Sequence, residues 1–161
     1  MKIGILMGSE NDYPVVKRAE TVLDSFGVEY KTRIISAHRT PSVAEAFSKG
    51  AEENGFEAII AAAGKAAHLA GVIAANTPLP VIGLPVKSSM LDGLDSLLST
   101  VQMPKGIPVA TVAIDGAENA ALLAVQILSV KYPALREAMR DFKANMAQEI
   151  IQADRAFVEK R

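Results

Sequence analysis

Ser36-Ala37-His38-Arg39 sets a proton-exchanging ring beside a guanidinium fork. Arginine presents several N–H donors in one plane, which suits a phosphate or carboxylate. Histidine gains and loses a proton near neutral pH. Side by side they can hold an oxyanion and do acid/base chemistry on the same small ligand. A solvated loop whose arginine pairs with a surface carboxylate explains these residues equally well, so the surroundings must decide. The second of the chain's two histidines, His68, lies in Ala63-Gly64-Lys65-Ala66-Ala67-His68. Small residues there let a flat ligand lie against backbone, or simply let helices pack closely. Lys65 can face a phosphate or solvent. A third segment, Gly8-Ser9-Glu10-Asn11-Asp12, opens a helical pattern. Its glycine admits close approach, and free N–H groups in a first helical turn can face an anion. Asp12 can accept from ribose hydroxyls. Ser9 or Asn11 acting only as a helix cap is the other reading.

The elements that must position these segments follow from hydrophobic periodicity. Short apolar runs predict strands over Ile3–Met7, Glu29–Ile35, Ala58–Ala62, Pro80–Leu84 and Pro108–Ile114. Helical spacing predicts helices over Asp12–Phe26, Thr40–Asn54, Ala66–Asn76, Gly93–Thr100 and Glu118–Ser129. Thr40-Pro41 is a helix start, and Gly27 and Gly55 are helix stops. Strands alternating with helices imply a parallel sheet covered on both faces. In such sheets ligands bind beyond the carboxyl ends of the strands. All three candidate segments fall at that edge.

From Pro133 to Arg161 nothing breaks a helix, and Leu135, Met139, Phe142, Met146, Ile150, Ala153 and Phe157 form one apolar stripe. Such a helix is about 40 Å long. The rest of the chain forms a body of radius of gyration about 15 Å. The helix is therefore expected to overhang residues 1–130 and to cover its stripe with a neighbouring subunit. One domain spanning residues 1–161 is expected.

Composition narrows the chemistry. The 161 residues are 50% hydrophobic and 22% charged, with net charge −1. That balance gives no general attraction to nucleic acid or an anionic membrane. There is no cysteine, which excludes disulfides, thiol nucleophiles and thiolate metal sites and suits a reducing compartment. No metal-ligand spacing, P-loop or GxGxxG is present. The short apolar start, ended by Ser9, Glu10 and Asp12, is expected to be a buried strand, not a signal peptide or membrane span.

Taken together, Met7-Gly8-Ser9…Asp12, Ser36-Ala37-His38-Arg39-Thr40-Pro41 and Ala63-Gly64…Ala66-Ala67-His68-Leu69 resemble the N5-carboxyaminoimidazole ribonucleotide mutase family of purine biosynthesis, the class I PurE family. Pro80–Val86, Gly93–Leu97, Val101–Pro104 and Asn119–Ala124 continue the resemblance in order. It implies a flavodoxin-like three-layer α/β/α sandwich with a central parallel sheet and a long C-terminal helix. It also implies a cytoplasmic homo-octamer whose last helix packs on neighbouring subunits, and an isomerase that needs no metal, ATP or organic cofactor. Under the resemblance His38 is the acid/base, and Ser9, Asp12 and Arg39 hold the ribose phosphate. Ser36 meets the migrating carboxylate or CO2, and Ala63, Gly64 and His68 line the pocket around the imidazole. Asn11 and Lys65 depart from the family pattern, where serine and a small residue, usually glycine, are common.

Overall fold

A computed structural model describes residues 1–160; Arg161, the last residue of the expected C-terminal helix, lies outside the described residues. Five parallel strands form one sheet in the order β2-β1-β3-β4-β5. They are β1 (Lys2–Met7), β2 (Glu29–Ile34), β3 (Ala58–Gly64), β4 (Val81–Val86) and β5 (Ala110–Thr111). This is the flavodoxin-like order, in which the winding reverses between β1 and β3. β1, β3 and β4 are buried on both faces, which is why they read as continuous apolar runs.

Helices α1 (Tyr13–Ser25), α5 (Ala117–Ser129) and α6 (Pro133–Glu159) pack on one side through Val16, Ala19, Leu23, Ala121, Val125, Leu135 and Met139. Helices α2 (Pro41–Gly50) and α3 (Leu69–Ala74) cover the other side through Ala44, Leu69, Ala70 and Ile73. α4 (Leu94–Val101) lies beside α3 there, and the two meet over Gly83. A Cβ on Gly83 would sit 2.3 Å from Thr100 Cγ2, so glycine is what lets α4 approach the sheet.

Several boundaries differ from those expected, each for a local reason. A 3₁₀ turn, Glu10–Asp12, precedes α1, because Ser9 and Asp12 cap each other: Ser9 N donates to Asp12 Oδ2 (3.1 Å) and Asn11 N donates to Ser9 Oγ (3.3 Å). α2 ends at Gly50 and not Asn54, as the Asn54 side chain donates to the Gly50 carbonyl (2.7 Å) and Gly55 turns with φ +78°. α3 starts only at Leu69, because Ala66–His68 form a tight turn in which His68 N donates to Ala66 O (2.9 Å) and not to a carbonyl four residues back. β4 runs on through Pro85 to Val86, whereas β5 shrinks to two residues. Gly83 O and Pro85 O accept from Val112 N and Asp115 N, so the N–H that proline lacks is missing on the β5 side.

The C-terminal half of α6 leaves the body of the chain. Leu135 and Met139 are buried and Phe142 packs on Phe26 (ring centroids 5.7 Å), but Met146, Ile150 and Phe157 are exposed. The α5–α6 turn is tied to the start of β3 where Lys131 and Tyr132 both donate to Glu57 Oε1. Burial alone would raise the Glu57 carboxyl, but these two donors and the Lys131 charge hold it below its usual range.

Candidate active site

The carboxyl ends of β1, β2, β3 and β4 open into a cavity of about 630 Å³. It sits at the reversal of strand order, where a doubly wound sheet leaves a crevice. Ser9, Asp12, Ser36, His38, Arg39, Ala63, Gly64 and His68 all line it. The structure thus brings every residue singled out in the sequence into one space.

Two contacts organise that space. His38 Nε2 lies 2.6 Å from His68 Nδ1, with the rings edge-on at 84°. One proton between the two nitrogens satisfies both, one as donor and one as acceptor. Arg39 spans the first two loops: its NH2 donates to Gly8 O (2.7 Å) and its Nε to Ser36 Oγ (3.4 Å). The remaining guanidinium N–H groups are left for a ligand. The loop carrying His38 is stiffened from within. Arg39 N donates to Ser36 Oγ (3.1 Å), Ser36 N to Thr40 Oγ1 (3.0 Å) and Thr40 Oγ1 to Ser36 O (3.0 Å). Local side-chain bonds of this kind set a loop before any ligand arrives.

Asp12 is the acidic group of the cavity. Partial burial pushes its carboxyl above the usual carboxylate range. The Ser9 N–H and the Arg39 charge pull it back, while Asp115 adds to the rise. Ser9 proves to be a cap, yet it still lines the cavity.

The sequence reading missed the fourth strand end. Lys87, Ser88 and Ser89 complete the wall, and Lys87 Nζ pairs with Asp92 (2.6 Å). The signal was present as a lysine and two serines directly after an apolar strand. Ending that strand at Leu84 placed them too far along the loop. Three non-glycine residues, Lys65, Asp92 and Asp115, have φ near +55°, and all three lie in loops at this same edge. Such backbone costs about 1–2 kcal/mol per residue and tends to cluster at working sites. A second cavity of about 420 Å³ lies at the edge strand, lined by Lys2, Lys31, Arg33, Phe47 and Phe56 among others. It has neither histidine nor carboxylate in its lining.

A flavodoxin-like sheet, a histidine pair and an arginine clamp at the winding reversal define an α/β protein built to work on a small anionic ligand. Residues 2–149 match the family described as AIR carboxylase, and the chain belongs to it. The N5-carboxyaminoimidazole ribonucleotide mutase of Pyrococcus abyssi is 59% identical over 145 residues, which cover 90% of this chain and 83% of that protein. The protein of that name from Thermotoga maritima is 53% identical over 151 residues, 94% of this chain and 88% of that protein. The chloroplastic phosphoribosylaminoimidazole carboxylase of Vigna aconitifolia is 50% identical over 149 residues, but the match covers only 27% of that longer protein. The crystal structure of Treponema denticola PurE superposes with a TM-score of 0.88 at 31% identity, covering 95% of this chain and 96% of that one. Among the described residues no helix is long and apolar enough to cross a membrane.

Proposed function

We propose that the chain interconverts N5-carboxyaminoimidazole ribonucleotide and 4-carboxy-5-aminoimidazole ribonucleotide in purine biosynthesis. The observation that carries this reading is the His38–His68 contact beside the Arg39 clamp in one cavity. Arg39 and Ser9 hold the phosphate, and Asp12 the ribose hydroxyls. Ser36 faces the carboxylate, and Ala63 and Gly64 let the flat imidazole lie close to backbone.

His38, with His68 against it, gives a proton to the exocyclic nitrogen as the N–C bond to the carboxylate breaks and CO2 leaves. Ring carbon C4, made nucleophilic by the amine just formed, attacks the trapped CO2. The C4 proton then returns to His38. One group acts as acid and then base, so protons balance over the cycle. Holding CO2 beside C4 replaces a bimolecular encounter, which in well-oriented cases is worth about 7 kcal/mol or more. Excluding water keeps the CO2 in place.

The chain acts as one domain, residues 1–130 forming the α/β core and α6 the helix that packs on neighbours in a homo-octamer. The exposed stripe on α6 supports this, as do Met90, Leu91 and Leu94, which stand exposed on the loop and helix start after β4. Work in the cytoplasm suits the cysteine-free composition.

The carboxylase name of the Vigna relative favours one second reading, in which free CO2 is added to aminoimidazole ribonucleotide. Supplying each substrate alone to the purified chain decides between them. The expected result is rapid conversion of the carboxyamino nucleotide without ATP or added bicarbonate. Turnover only of aminoimidazole ribonucleotide with CO2 would establish the carboxylase instead.

A further inference from the structure

We infer that Lys65 is a substrate-binding residue of this cavity, its ammonium group holding an oxyanion of the nucleotide. The inference rests on the mutase reading for the identity of that nucleotide. Three fixed cations line the cavity: Arg39, Lys65 and Lys87. Arg39 is anchored to Gly8 O, and Lys87 is paired with Asp92. Lys65 makes no hydrogen bond or ion pair with any described residue, and it is exposed at the cavity wall. Lys87 has Asp92, with Asp115 beside it, and Arg39 has the Gly8 carbonyl, with the Asp12 charge beside it. Lys65 alone of the three has no protein group to pair with.

The ligand needs an unpaired cation. A phosphate monoester carries about two negative charges at neutral pH and a carboxylate one more. Arg39 alone, facing Asp12, does not match them. The backbone points the same way. Lys65 adopts φ +55° at the end of β3, where glycine would sit without strain. Gly27, Gly55, Gly93 and Gly106 take positive φ elsewhere in the chain. A lysine kept in that conformation, at the cavity and with no protein partner, has its partner in the ligand.

The test is calorimetric titration of the full chain with two probes, 4-carboxy-5-aminoimidazole ribonucleotide and aminoimidazole ribonucleotide, which lacks the carboxylate. Lys65→Gln is expected to weaken binding about tenfold, the low end for a charge-assisted contact at an exposed site. Lys65→Arg is expected to stay within about threefold, and the dependence of Kd on salt should flatten in Lys65→Gln. Lys65→Gly is expected to lose the same affinity while raising Tm by about 2–4 °C, since it relieves the backbone. Loss on both probes puts the ammonium on the phosphate, and loss on the carboxylated probe alone puts it on the carboxylate. Binding by Lys65→Gln within about twofold of the unmodified chain on both probes, with unchanged salt dependence, would overturn the role. An unmodified chain that binds both probes but converts nothing overturns the mutase reading and leaves Lys65 to be judged by the same titrations. One that binds neither overturns both.

Discussion

His38→Asn is expected to fold, bind the nucleotide and lose conversion by a factor of about 10²–10⁴, the range that general acid/base groups contribute. Asparagine keeps a polar group at the loop tip but has no proton to exchange. The scaffold does not depend on the imidazole. The loop is held by the Ser36–Thr40 bonds and by Arg39 N to Ser36 Oγ, none of which involves the ring. What the variant loses is the imidazole and its 2.6 Å contact to His68. Binding titration and turnover on the same preparation separate the two effects. Retained affinity with lost turnover fits a proton carrier. Near-normal turnover would remove His38 from the chemistry.

Arg39→Ala is expected to raise KM about tenfold to hundredfold, the worth of a charge-assisted hydrogen bond or two. The loss has a second source. Arg39 NH2 donates to Gly8 O and so sets the spacing between the β1 and β2 loops. Arg39→Lys separates these contributions, because it keeps the charge but loses the planar fork. It is expected to fall between the alanine variant and the unmodified chain. Steady-state kinetics across the three proteins checks this, and an unchanged KM in Arg39→Ala would place the phosphate elsewhere.

Most of the fold was legible because it is written in periodicity. Ile3–Met7, Ala58–Ala62 and Val81–Leu84 are buried on both faces, and an uninterrupted apolar run is the signature of that environment. The convergence of Ser9, Ser36, His38, Arg39 and His68 was legible through one rule, that parallel sheets bind ligands beyond their strand ends. What was hidden depends on contacts between distant segments. Nothing local announces that His38 and His68 touch, since they follow β2 and β3, which are brought near each other only by pairing on either side of β1. The shortness of β5 is caused by a proline in a different strand. The late start of α3 follows from a tight turn in which His68 N donates to Ala66 O, directly after the left-handed backbone at Lys65, and neither is signalled by residue type. Alanine-rich Ala66–Asn76 has high helix propensity, and the turn overrides it.

The most direct test of the site is a crystal structure of the chain with 4-carboxy-5-aminoimidazole ribonucleotide bound. The phosphate is expected within hydrogen-bond reach of Arg39 and Ser9, with C4 of the imidazole beside His38 and the ring against Ala63 and Gly64. A nucleotide seated instead in the cavity between Phe47, Phe56 and Arg33, with the His38–His68 pair untouched, would contradict it.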